Sequence, residues 1–126
     1  LTSKLNKTCL NPVICEFFSA LRIKVDILLF NPPYVVTPEH ELGSRSIAAA
    51  WAGGKDGRQV INRFLPLVDG ILSSKGVLYL VVVEENKPLE IIEWMKEWEL
   101  EGEIVNKRKA GPERLSILKF KRKLSF

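Results

Sequence analysis

Six residues from Val25 to Phe30, V-D-I-L-L-F, are apolar except for Asp26 and stop at Asn31-Pro32-Pro33, which cannot continue a ladder. That run predicts a strand, and its near-continuous apolar character predicts a parallel one covered on both faces. Val77 to Val83 is the most strand-like run in the chain and predicts a central strand, entered by a turn at Lys75-Gly76. Between the two, Val60, Ile61, Phe64, Leu65, Val68, Ile71 and Leu72 recur at helical spacing and predict a core-facing helix. Pro66 falls inside it and removes the bond to the Asn62 carbonyl, so a kink or break is expected there. A second helix is predicted from Pro88, with Glu90 and Glu93 at its positive end and Leu89, Ile92, Met95 and Trp98 as the buried stripe. Ile104 to Arg108 and Leu115 to Lys121 follow as an antiparallel closing pair joined around Ala110-Gly111-Pro112. Earlier, Val13, Ile14 and Cys15 within Pro12 to Glu16 are compatible with one more buried strand.

Alternating strand and helix, then a hairpin, describes an open α/β sheet with helices on both faces, and no repeat or linker argues for more than one domain. With 126 residues, 46% of them apolar and 27% charged, the chain has the size and balance of a globular domain. Two cysteines, Cys9 and Cys15, and one histidine, His40, cannot assemble a disulfide framework or a zinc cluster, so no metal site is expected. Free thiols point to a reducing compartment, the cytoplasm or the nucleus. The longest apolar stretch, Val77 to Val83, is far short of the roughly 20 residues a membrane helix needs. A start at Leu1 without Met leads to the expectation of a longer parent chain. Much of the basic excess behind the net charge of +4 sits late, at Lys107, Arg108, Lys109, Lys119, Lys121, Arg122 and Lys123, and is expected to be a solvated edge away from any binding pocket.

In open α/β sheets ligands bind beyond the carboxyl ends of the strands, which directs attention to Asn31-Pro32-Pro33-Tyr34. A planar amide or aromatic amine is a poor nucleophile because its nitrogen lone pair is delocalised. The Asn31 side-chain oxygen and the Pro32 carbonyl can each accept one hydrogen of an incoming NH2 group, which aims the lone pair one way, towards an electrophilic methyl group. The prolines restrict the backbone to extended geometry, so the acceptors are preset, and Tyr34 offers a flat face for stacking. This scheme needs no general base, in keeping with a loop whose nearest acids are Glu39 and Glu41. Asn-Pro-x-Tyr is also a turn peptide bound by phosphotyrosine-binding-type modules, but those peptides lie in exposed tails and this one follows a strand.

V-D-I-L-L-F-N-P-P-Y-V-V-T-P, then A-A-W-A-G-G-K-D-G-R and F-L-P-L-V, resembles the HemK-type class I methyltransferases, in particular the eukaryotic branch that methylates the glutamine of a Gly-Gly-Gln motif in a translation release factor. The resemblance runs from about Cys9 to Phe120. It implies a partial Rossmann-like α/β fold, with central parallel strands and a carboxyl-terminal antiparallel hairpin, and S-adenosylmethionine as methyl donor. By motif position, Asn31 and Pro32 are the catalytic residues that hold the glutamine amide, and Pro33 and Tyr34 complete the substrate site. Glu16 and Phe17 fall where the family contacts the adenine of the cofactor, and Asn31 also borders it. Trp51, Gly53, Gly54, Gly57 and Arg58 match the loop before the helix, where packing near the site and plain backbone geometry are equal explanations. The family's first strands and glycine-rich cofactor loop have no counterpart here. Residues 1–126 are therefore expected to be the carboxyl-terminal portion of one methyltransferase domain, not catalytic unaided, with the apolar Val25 to Phe30 strand short of a neighbour. Expected partners are a class-1 release factor as substrate and a small activator subunit that holds any zinc itself; a membrane is not expected. Adenine-N6 methylation of a nucleic acid and an inactive interaction module remain as alternatives.

Overall fold

A computed structural model describes residues 2–38 and 47–124. Four strands, β1 (Val25–Phe30), β2 (Leu72–Val83), β3 (Leu100–Ala110) and β4 (Glu113–Arg122), form one sheet in the order β1-β2-β4-β3. β1 and β2 run parallel, with Leu28 opposite Leu78 and Phe30 opposite Leu80. β4 is antiparallel to both β2 and β3. A single turn, α1 (Thr2–Leu5), buries nothing; α2 (Gln59–Ile71) carries the chain from β1 to β2, and α3 (Pro88–Met95) leads from β2 to β3.

Because side chains alternate along a strand, Leu78, Leu80 and Val82 of β2 share a face with Leu118 and Phe120 of β4. There they meet Ile61, Phe64, Leu65 and Val68 of α2 and Ile91 and Met95 of α3 in one buried core. Each large side chain so covered contributes about 1.5–3 kcal/mol relative to exposure. The other face is open among the described residues: Ile27 and Leu29 are 67% and 72% exposed, and Val77, Tyr79, Val81 and Ile117 only half-buried. Among the described residues helices therefore cover one face, not the two expected from the apolar strands, and β1 has a strand partner on one side only.

Several elements depart from their predicted form for local reasons. Lys75-Gly76 lies inside β2 as an irregularity, since Val25 pairs with Leu72 but Ile27 with Val77. α2 runs unbroken through Pro66, because both Pro66 and Asn62 are exposed and water can satisfy the freed carbonyl. In α3 the buried pair is Ile91 and Met95, with Ile92 and Trp98 half-buried and Leu89 73% exposed. No strand forms at Pro12 to Glu16, where Ile14 is fully exposed. Arg122 is not a solvated tail residue: its guanidinium donates to the Asp69 and Leu72 carbonyls, each at 3.0 Å, and to the Asp69 carboxylate at 2.5 Å, capping the negative end of α2.

Candidate functional site

The core holds β1 by its last residue. The Phe30 ring lies 3.9 Å from the Phe64 ring of α2, and Phe17 and Phe18 pack on the same ring at 5.9 and 5.4 Å. Asn31 then emerges exposed, followed by a buried Pro32 and half-buried Pro33 and Tyr34, all outside any helix. Beyond them Val35 pairs in parallel with Ala52. Its amide donates to the Trp51 carbonyl at 2.9 Å and its carbonyl accepts from the Gly53 amide at 2.8 Å. Thr37 adds two bonds to Gly54, one from its amide at 3.1 Å and one to its hydroxyl oxygen at 3.0 Å. The Gln59 amide donates to the Gly53 carbonyl at 2.8 Å, so α2 begins fastened to this second loop.

Two glycines make the close approach feasible. Gly57 has φ +64, and a Cβ there would fall 1.9 Å from the Tyr34 carbonyl oxygen. A Cβ at Gly53 would fall 2.6 Å from the Pro33 carbonyl oxygen. Both positions therefore have a steric requirement for glycine. Arg58 donates to Glu90 at 2.9 Å and to Asn62 at 3.2 Å, tying α2 to α3, whereas Trp51, 43% exposed, holds the loop through its backbone carbonyl. The acids Glu39 and Glu41, like His40, lie outside the described residues.

Two further side chains reach the tetrapeptide from distant segments. Fully buried Asn86, in the turn after β2, accepts from the Val83 amide at 2.8 Å and donates to the Tyr34 and Asp56 carbonyls, each at 2.9 Å. Glu113, at the start of β4, lies beside the Tyr34 hydroxyl; burial first, then the charge and acceptor capacity of this carboxylate, push the Tyr34 phenol above its ordinary pKa. Neither was expected, since a turn reading E-E-N-K-P and a strand-initial glutamate carry no signal of their own. Tyr34, Val35, Val36, Val83, Glu85 and Glu113 line a cleft of about 200 Å³.

The position of Glu113 also brings the hairpin tip to this end of the sheet. Lys107, Arg108, Lys109 and Arg114 line a groove of about 560 Å³ together with Leu89 and Ile104, and Arg114 pairs with Glu84 at 3.4 Å. The expectation that the late basic residues lie away from the site fails for Lys107, Arg108 and Lys109. It holds for Lys119 and Lys121, which pair with Tyr79 and Val77 towards the other end of β2.

Glu16 and Phe17 sit apart from the tetrapeptide. Glu16 is exposed and ion-paired with Arg63 of α2, whose guanidinium also lies 5.5 Å from the centre of the half-buried Phe17 ring. Both line a cleft of about 640 Å³ with Asn62, Pro66 and Leu67, and Phe17 shares the Phe64 ring with Phe30, the residue before Asn31. Among the described residues no group of three or more His, Cys, Asp or Glu could hold a metal, and no helix is long and apolar enough to cross a membrane.

No protein-family model matches the chain. It is 51% identical over 123 residues to human methyltransferase HEMK2, covering 94% of this chain and 58% of that protein. It is 30% identical over 116 residues to a Methanocaldococcus jannaschii protein provisionally named a protein N5-glutamine methyltransferase, covering 92% of this chain and 59% of that one. Among solved structures it is similar to the E. cuniculi Mtq2–Trm112 complex responsible for methylating the eRF1 translation termination factor, with a TM-score of 0.70 and 27% identity over 97% of this chain and 68% of that one. The chain thus spans somewhat under 60% of the curated relatives it matches.

Proposed function

Since the chain belongs by sequence and fold to the HemK-type methyltransferases, we propose that it is part of an enzyme that methylates the side-chain amide of a glutamine in a translation release factor. One observation carries this reading: a core-anchored parallel strand delivers an exposed Asn31 and a buried Pro32 to the carboxyl edge of the sheet, on a loop braced by a second loop. In this arrangement the Asn31 Oδ1 and the Pro32 carbonyl accept the two hydrogens of the glutamine amide, which localises the nitrogen lone pair and aims it. Tyr34, neutral at physiological pH, supplies a flat wall. As the amide nitrogen takes the methyl group, the methyl–sulfur bond of the donor would break with its electron pair left on sulfur and the surplus amide proton would pass to water, so no carboxylate or histidine of the chain has to remove it first.

S-adenosylmethionine, when bound, supplies the electrophilic methyl group. The residues present fit one end of it: Glu16 offers an acceptor for an exocyclic amine and Phe17 an apolar ring, both on the same cleft. A small activator of the Trm112 kind is the partner this reading brings with it, any zinc being the activator's own. The two free thiols suit the cytoplasm or nucleus.

A second reading, methylation of an exocyclic adenine amine in a nucleic acid, draws support from the four basic residues at the hairpin tip. The whole protein should be offered a release-factor domain, single-stranded DNA and duplex DNA with labelled cofactor. The proposal expects label on the release factor alone, and an Asn31→Ala variant with turnover abolished and cofactor affinity within about twofold. Labelled DNA, or undiminished turnover by that variant, overturns it.

A further inference from the structure

Among the described residues, Asn86 is the only buried side chain that touches the candidate acceptor loop from outside it by donating hydrogen bonds in two directions. Its orientation is not ambiguous. The Val83 amide can only donate, so the oxygen must face it, and the NH2 must face the Tyr34 and Asp56 carbonyls. Three segments meet at this one group: the end of β2, the loop after β1 and the glycine turn before α2. A buried carbonyl left without a donor costs on the order of 1–3 kcal/mol.

From this geometry we infer that Asn86 is a positioning residue for methyl transfer: by donating to the Tyr34 carbonyl it fixes the backbone on which the Asn31 and Pro32 acceptors ride. The inference rests on the glutamine-amide reading of the loop. Asparagine meets the requirement where its closest substitutes do not. Aspartate keeps the acceptor for Val83 but loses both donors and sets a negative charge against two carbonyls; alanine loses all three bonds. Gly57 is the other half of the device, because a Cβ there would come within 2.5 Å of the Asn86 Nδ2 as well as striking the Tyr34 carbonyl. The residue after Asn86 reinforces the turn: Lys87 adopts φ +57, which an L-residue takes up only where its surroundings hold it, and Pro88 then starts α3. Since a displacement of about 1 Å at a reacting group can cost a hundredfold in rate, loosening this hold is enough to spoil an acceptor pair that is itself chemically intact.

The test uses the whole protein with its activator, assayed for methyl transfer to the release factor, with cofactor affinity from calorimetry and folding from thermal melts. For Asn86→Asp the expected result is a kcat lower by about tenfold or more, with release-factor KM and cofactor Kd within about twofold and a cooperative melt. Gly57→Ala, which displaces the Tyr34 carbonyl and crowds the Asn86 amide while keeping the asparagine side chain itself, is expected to give the same split, so a folding failure of one variant leaves the other to decide. Wild-type kcat in a folded Asn86→Asp or Gly57→Ala protein overturns the inference, and so does a parallel loss of kcat, KM and cofactor affinity that tracks the unfolded fraction. Asn31→Ala separates the two levels: if it keeps turnover, the acceptor reading itself fails, whereas its loss beside an active Asn86→Asp protein sinks only the role given to Asn86.

Discussion

At Tyr34 two influences push in one direction, burial and the neighbouring Glu113 carboxylate, and both favour the protonated phenol. A tyrosine whose folded pKa lies above the unfolded value of 10.0 adds stability that is whole below pH 10 and is lost as pH rises from there through the folded value. Glu113→Gln is therefore expected to bring one tyrosine's absorbance titration back down towards 10.0 and to narrow the alkaline loss of stability; an unchanged titration refutes the pairing. The tetrapeptide was legible because its four members are contiguous and follow a strand. Asn86 was not, because the groups it serves lie 52 and 30 residues away in the chain, at Tyr34 and Asp56. Glu113 escaped for the same reason, needing the β2–β4 register before it comes near Tyr34.

Among the elements, α2 shows how far periodicity carries. Ile61, Phe64, Leu65, Val68 and Ile71 are all buried on one face, as their spacing predicts. Of the kink or break expected at Pro66 the break does not occur, because helix breaking depends on whether the orphaned carbonyl is buried, and spacing alone does not reveal that. Gly70 is the weak point of this helix: a Cβ there meets nothing within 4 Å. Gly70→Ala is expected to raise stability by about 0.5–1 kcal/mol in a urea titration, since it removes backbone freedom from the unfolded chain at no steric cost. Phe64→Ala is expected to cost about 3–5 kcal/mol by the same measurement, because three other phenylalanine rings rest on that one. The hairpin was readable from its turn and flanking polarity, though both strands extend beyond the predicted ends. In α3 the apolar residues cluster too densely for spacing to choose a stripe, and packing against β3 and β4 selects Ile91 and Met95 over Leu89.

For the whole molecule, the central issue is the uncovered sheet face. The apolar strands predict cover on both sides, and among the described residues the helices supply it on one. Leu29→Lys tests it by a difference in sign. In the isolated chain the residue is 72% exposed, so the change should leave stability unaltered and reduce aggregation seen by light scattering. If further polypeptide of a longer parent packs on that face, the same change in that parent should lower the urea midpoint by an amount equivalent to about 2–3 kcal/mol. Equal effects in both would mean the face stays bare. The short parallel bridge between Val35 and Ala52 has a dynamic corollary. Four backbone amides, those of Val35, Thr37, Gly53 and Gly54, are spent on lacing one loop to the other, so neither can peel from the sheet alone. In heavy water these amides should trade their hydrogens at a common rate, as a single unit of opening.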